Sequence, residues 1–158
     1  MLRVSYLHPV LAGLLVMALC TGCLTTSGSP TPKEFPPDKL EQALAPFNYN
    51  GTSWIAIDPV GDHVAGETIV VTAQTGLPAG GTVLVQTWPV SFTRSKWFEL
   101  NAGVSEKVTI APGSAGVNTI TCMIDTADFY DGTYILLIEH GPDTAAAAAS
   151  YGITAKKG

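Results

Sequence analysis

Two histidines and two groups of acidic residues are the side chains best suited to bind a metal ion. His63 follows two aspartates in a turn-rich stretch, and His140 stands directly before Gly141. Two histidines with a carboxylate could bind zinc or copper, and oxygen-rich loops could bind calcium. Neither a tight ligand spacing nor an EF-hand pattern is present, and aspartates in turns commonly bond to their own backbone. We therefore expect local bonding of His63, no metal site, and turn or capping roles for Asp58, Asp62, Glu67, Asp125, Asp128 and Asp131.

Cys122 is the one cysteine outside the N-terminal region, and it lies between Ile120 and Ile124 in an alternating pattern. A buried, small apolar residue is the expectation, because a nucleophilic cysteine needs exposure and a low pKa. No serine elbow, glycine-rich phosphate loop or dinucleotide fingerprint is present. The sequence predicts a non-catalytic protein without a cofactor. The alternative is a metal-binding or enzymatic protein that uses the loop residues from Asp58 to Glu67.

An aromatic and basic segment is the strongest candidate for a partner surface. Large aromatic residues with arginine dominate the contact energy of interfaces, and a flat aromatic face can stack on sugars. The other interpretation is an edge strand that folds its aromatic side chains onto the core. Both interpretations stay open for the residues concerned, which are Trp88, Phe92, Arg94, Trp97 and Phe98.

The composition indicates one folded domain. Of the 158 residues, 46% are hydrophobic and 13% are charged, the opposite of a disordered chain. The formal net charge of −5 argues against nucleic acid as a partner, because phosphate binding needs clustered lysine and arginine.

The N-terminus predicts an export signal over residues 1–22. Arg3 precedes an apolar run, VLAGLLVMALC, which is followed by Thr21, Gly22 and Cys23. This arrangement resembles the lipobox of lipoproteins, with Cys20 where leucine is usual, and it implies lipidation at Cys23. We expect an extracytoplasmic domain anchored to the outer face of the membrane. The alternatives are plain cleavage with secretion, and an uncleaved anchor helix.

Residues 23–52 have the composition of a tether, rich in serine, threonine and proline. Within it, the spacing of Leu40, Ala43, Leu44 and Phe47 predicts a short helix, which either packs on the domain edge or belongs to the stalk. Asn50 begins an Asn-Gly-Thr sequence that matches the N-glycosylation pattern.

Residues 53–156 read as short strands separated by turns, the pattern of a β-sandwich. The run Ala145–Ala149 is ambiguous because alanine favours helices, but its alternation with Tyr151 and Ile153 favours a strand. Tyr134 after Gly132 resembles the tyrosine corner of Ig-like folds. We predict an all-β, Ig-like antiparallel sandwich of about seven strands. The predicted strands are 53–57, 67–74, 82–88, 104–111, 117–125, 133–140 and 146–154, with a further edge strand at 91–100.

Four motifs carry a resemblance to a known family. They are IAIDPVGDHVAGE from Ile55, LPAG from Leu77, Asn118-Thr119 with Asp125 and Phe129, and Gly132-Thr133-Tyr134. Together they resemble the Ig-like repeat of methanogenic-archaeal cell-surface proteins, including S-layer-type glycoproteins, over residues 54–154. The resemblance implies a β-sandwich located in the cell envelope and no defined activity. An envelope protein or a glycan is the expected partner, and a role as accessory subunit of a membrane complex is a further alternative.

Overall fold

The computed structural model describes residues 36–50, 53–92, 103–141 and 144–156, and of Tyr49 and Asn50 it describes the backbone. These residues form one α-helix, one 3-10 turn at Ala45–Phe47 and ten strands. The elements are α1 (Pro37–Leu44), β1 (Tyr49–Asn50), β2 (Ile55–Ile57), β3 (His63–Val64), β4 (Thr68–Thr75), β5 (Thr82–Pro89), β6 (Val104–Thr109), β7 (Ala111–Ser114), β8 (Val117–Asp125), β9 (Gly132–His140) and β10 (Ala145–Thr154).

The strands form two packed sheets. One has the order β1-β10-β9-β5-β6, with β3 pairing parallel to β10, and the other has the order β2-β4-β8-β7. All other pairings are antiparallel. In an Ig-like fold the first, second, fifth and fourth strands share one sheet, and the third, sixth and seventh share the other. The predicted Ig-like β-sandwich is therefore confirmed, with β2, β4, β8 and β7 in the first sheet and β5, β9 and β10 in the second.

The core lies between the sheets, and strand alternation fills it. In β4 the residues Ile69, Val71 and Ala73 are buried while their neighbours face outward. Cys122, in β8 opposite Val71, is also buried, as predicted. Since successive side chains of a strand point to opposite faces, β4 and β8 give the core every second residue.

The tyrosine corner is present at the start of β9. The Tyr134 hydroxyl accepts a hydrogen bond of 2.8 Å from the backbone N–H of Tyr130. Its ring stacks on Phe129 with centroids 4.6 Å apart and on Tyr151 with centroids 5.8 Å apart. The prediction from Gly132-Thr133-Tyr134 is confirmed, and the corner fixes the turn between the two sheets.

The alanine run is a strand because both of its faces are covered. Ala145 faces the core between the sheets, and Ala146 faces a second apolar cluster on the outer surface of its sheet. Two covered faces need small side chains, which outweighs the helix preference of alanine. The predicted strand at 146–154 is confirmed.

The prediction of one continuous strand at 104–111 is wrong. The chain breaks at Ile110 into β6 and β7, which lie in different sheets. Ile110 is buried, and its backbone bonds to Gly80 and Gly81. The chain therefore crosses from one sheet to the other at a residue anchored in the core.

The predicted helix is present and packs against the sandwich. Leu44 and Phe47 lie on the outer face of the second sheet, against Trp88, Leu137 and Ala146. The rings of Phe47 and Trp88 meet edge to face, with centroids 5.6 Å apart. The packed part of the chain thus begins before residue 53, within the segment predicted as tether.

Candidate functional site

The structure separates the residues of the predicted aromatic surface. Trp88 is 1% exposed beneath Phe47, so it cannot contact a partner, and its assignment to a partner surface is wrong. Its side chain packs onto the domain, but from β5, which lies between β9 and β6 and is not the edge strand of the alternative interpretation. Phe92 is half-buried, and its backbone N–H donates to the Pro89 carbonyl at 3.0 Å. The remaining members, Arg94, Trp97 and Phe98, lie outside the described residues, as does most of the predicted edge strand at 91–100.

The two predicted modification sites stay predictions. Cys23 lies outside the described residues. Asn50 ends the two-residue strand β1, where it pairs with Ala145, rather than standing in a turn before the first strand.

The two acidic groups come to the same end of the sandwich. Two backbone hydrogen bonds join them there, from Gly66 N–H to the Thr126 carbonyl at 3.1 Å and from Thr126 N–H to the Glu67 carbonyl at 3.2 Å. The Thr126 hydroxyl also donates to the Glu67 carbonyl, at 2.7 Å. The turn before β4 and the turn after β8 are therefore fixed to each other.

Some carboxylates of these groups bond within their own turns, as predicted, whereas Asp58 and Asp62 bond to the strands β4 and β10. Asp58 accepts a hydrogen bond of 2.6 Å from the Thr72 hydroxyl, and Glu67 accepts one of 3.1 Å from the Val64 N–H. His63 lies 3.4 Å from the Glu67 carboxylate, which confirms its predicted local bonding.

Of the next two contacts, the first is local and the second joins residues that are 58 positions apart. Asp125 accepts a hydrogen bond of 3.0 Å from the Ala127 N–H, and His140 Nδ1 lies 3.0 Å from the Thr82 carbonyl oxygen. Within the described ranges, no three histidine, cysteine, aspartate or glutamate side chains are grouped to hold a metal ion.

One edge of the second sheet is covered along β10. The backbone N–H of Ala148 donates to the Asn48 side chain at 2.7 Å, and that of Gly152 donates to the Asp62 carboxylate at 2.9 Å. β1 pairs with one end of the same edge, and β3 pairs with the other. We call this the closed side of the sandwich.

The opposite side carries a groove of about 500 Å³ between β6 of one sheet and β8 of the other. We call it the open side. The groove is lined by Val70, Glu106, Lys107, Val108, Thr109, Thr121, Cys122 and Met123.

Cys122 lies on the inner wall of this groove. Its thiol is 3.6 Å from the Glu106 carboxylate, and it is nearly covered. Burial first, and the negative charge of Glu106 second, raise the pKa of Cys122 to about 11. At neutral pH the thiol is therefore protonated, which makes it a poor nucleophile.

Sequence reasoning did not find the groove, although one signal pointed to it. The nine-residue strand β8 follows three turn-forming residues, Pro112, Gly113 and Gly116. A neighbouring strand in this part of the chain therefore had to be shorter than β8. A strand much longer than its neighbour leaves part of its edge uncovered.

These features define the protein as a single Ig-like β-sandwich with a covered and an uncovered side. No protein-family model matches the sequence, and comparison with curated proteins finds no significant similarity. None of the helices in the described ranges has the length and apolar character needed to cross a membrane.

Proposed function

We propose that the protein is an exported Ig-like module, anchored through a lipid on Cys23, that has a structural or binding role in the cell envelope. The proposal rests on the export signal at residues 1–22 and on the resemblance to cell-surface Ig-like repeats. It assigns no catalytic residue and no cofactor. Its partner is an envelope protein or glycan.

The packing of α1 is the observation that carries the proposal. The helix begins at Pro37, directly after the N-terminal segment, and it is held on the sandwich through Phe47 and Trp88. Leu40 of α1 shares a groove with Gly132 and with Thr154, near the end of the last strand. The N-terminal segment therefore enters the domain at the same end where the C-terminal strand finishes.

This arrangement suits display from a membrane. The twelve residues from 24 to 35 can span at most about 40 Å, so a lipid on Cys23 would hold this end close to the membrane. The opposite end, with the turns after β4 and β7, would face outward.

Mass spectrometry of the mature N-terminal peptide from native membranes tests the proposal. The expected result is an N-terminus at Cys23 with a lipid-sized mass increment. Substitution Cys23→Ser should abolish the increment and release the protein, whereas Cys20→Ser, the matched control, should leave both unchanged.

Two outcomes would contradict the anchored form. An unmodified new N-terminus would mean a secreted domain. An intact Met1 in the membrane fraction would mean that the apolar run is not a cleaved signal, and the proposed export route would be wrong.

A further inference from the structure

The segment that precedes the sandwich packs on one of the two sheets. We call residues 37–50 the strap, which comprises α1, the 3-10 turn and β1. Its side chains Leu44 and Phe47 lie on the outer face of the second sheet, and β1 pairs with β10 of the same sheet. Among the described residues, the buried cluster between the two sheets includes no residue of the strap. The core of the sandwich is therefore formed without the strap.

The strap has little stability of its own. α1 has eight residues, and its N-cap residue, Pro36, provides no side-chain hydrogen bond. Neither α1 nor the 3-10 turn contains a buried residue. Isolated helices of this length are marginal in water. The strap therefore keeps its structure only while it lies on the sheet, and the loss of one attachment weakens the others.

The first feature that the strap covers is an apolar sheet face. Phe47 lies over Trp88, with the two rings edge to face. Trp88 belongs to a cluster with Ile135, Leu137 and Ala146, which is buried although it lies on the outer face of its sheet. Removal of the strap would expose this cluster and leave the core between the sheets intact.

The second feature is part of the β10 edge. The Ala148 N–H donates to the Asn48 side chain, and the Gly152 N–H donates to the Asp62 carboxylate. Backbone groups alternate in direction along an antiparallel strand, so the Ala146 N–H points to the same side, where β1 lies. The amides of Ala146 and Ala148 are thus covered by the strap, whereas the amide of Gly152 is covered by a different segment.

We propose that the strap opens and closes as one unit over a sandwich that stays folded. In the open form the strap loses its helix, the apolar face around Trp88 is uncovered, and the N–H groups of Ala146 and Ala148 lose their partners. The strap is thus a conformational switch that controls access to this face and to this part of the edge. Local openings of this kind have free energies below that of global unfolding. This inference does not depend on whether the chain is exported or anchored.

Hydrogen exchange of the full chain, resolved by residue, is the first test. An open form that makes up about 0.1–10% of the molecules gives the amides of Ala146 and Ala148 about ten- to thousandfold protection. The two amides should be protected to the same extent, because one opening exposes both. The amide of Val71, in the core strand β4, should exchange at least about tenfold more slowly, because it needs global unfolding.

Two variants separate opening of the strap from global unfolding. Phe47→Ala removes a ring of the strap, and it should raise exchange at Ala146 and Ala148 by the same factor, at least about tenfold. Exchange at Gly152, on the same edge, should change by less than about twofold. Val71→Ala is the matched control in the core, because it lowers global stability and should leave the Ala146 and Ala148 amides unchanged.

A third variant tests whether the attachments act together. Asn48→Ala removes the acceptor of the Ala148 N–H, which by itself concerns only that amide. If the strap is one unit, exchange at Ala146 should also rise, by about fivefold for one lost hydrogen bond. This variant keeps the Phe47 ring, so the test remains decisive if Phe47→Ala does not fold.

Four results would overturn the proposal. A rise at Ala148 alone in Asn48→Ala would mean that the contacts open separately. A rise at Ala146 and Ala148 in Val71→Ala would mean that they exchange through global unfolding. A rise at Gly152 equal to that at Ala148 in Phe47→Ala would mean that the whole β10 edge opens. Exchange that slows with rising protein concentration would mean that a second copy holds the strap in place.

Discussion

The two sides of this sandwich differ in how much of their outer strand edges is covered. On the closed side, the outer edge of β10 receives β1, the Asn48 side chain, the Asp62 side chain and β3. On the open side, β7 pairs with the first part of the β8 edge, and the described residues leave Thr121 and Met123 without a strand neighbour. Uncovered strand edges are templates for pairing with other chains. Among the described residues, the β10 edge is therefore covered at several points, whereas the β8 edge is covered only in its first part.

The closed side is built by the segment that precedes the sandwich. Asn48 and β1 follow α1 directly, and α1 lies over Trp88 on the same sheet. The segment therefore has two effects, since it covers an apolar sheet face and it occupies a strand edge.

The largest expected effect comes from removing the Trp88 side chain, against which the segment around α1 packs. Trp88→Ala removes a ring that is 1% exposed, and it should lower the free energy of unfolding by about 3–5 kcal/mol. Met123→Ala, on the outer face of the other sheet, should change it by less than about 0.5 kcal/mol. Chemical denaturation of both variants measures the comparison. Similar losses would mean that α1 does not stabilise the domain.

The next effect concerns the thiol at the open side. The folded pKa of Cys122 is about 11 and its ordinary value is 9.0, so only the unfolded chain loses the proton between these pH values. Stability is therefore complete below pH 9 and falls as the pH rises toward 11, by roughly 2 kcal/mol in all.

Cys122→Ala provides the control for this pH dependence. Burial also raises the pKa of Tyr134 and of Tyr151, so tyrosine ionisation contributes above pH 10. In denaturation experiments from pH 8 to 10, the free energy of unfolding of the natural protein should decline with rising pH. The decline should be smaller in the variant. Identical profiles would show that the thiol is not buried in solution.

A matched pair of proline substitutions compares the two edges directly. Ala148→Pro removes an N–H that donates to Asn48 at 2.7 Å, and it should cost about 2 kcal/mol. Met123→Pro removes an N–H that has no partner strand among the described residues, and it should cost less than half as much. Thermal unfolding measures both. An equal cost would mean that the β8 edge is paired in solution.

The smallest effects come from the two side chains that close β10. Asn48→Ala and Asp62→Ala each remove one acceptor at an exposed position, and each should cost about 1 kcal/mol. Hydrogen exchange should rise at Ala148 in the first variant and at Gly152 in the second. Thr119→Ala serves as the control on the outer face of the other sheet, and its exchange pattern along β10 should be unchanged.

Local pattern predicted most of the strands because alternation acts over a few residues. β4, β8 and β9 lie within a residue of the predicted bounds, and Tyr134 makes the predicted backbone bond. Cys122 is buried, as its alternation with Ile120 and Ile124 predicted. The break at Ile110 could not be predicted, because the residue continues the alternation of β6 and only its bonds to Gly80 and Gly81 reveal the change of sheet.

The candidate site was not predictable in the same way. Trp88 was assigned to a surface because tryptophan and arginine often mark interfaces, yet Phe47, in the 3-10 turn after α1, covers it from 41 positions away in the chain. The groove needs β6 and β8, which belong to different sheets and meet only after the sandwich has closed.

The sequence alone determined the strands, the turns, the tyrosine corner and the apolar character of the core, because each depends on neighbouring residues and on a period of two. Tertiary structure decided which edges are covered, where α1 packs and what lies beside Cys122. These properties depend on contacts between distant segments, because a strand edge becomes closed or open according to what the rest of the chain places beside it.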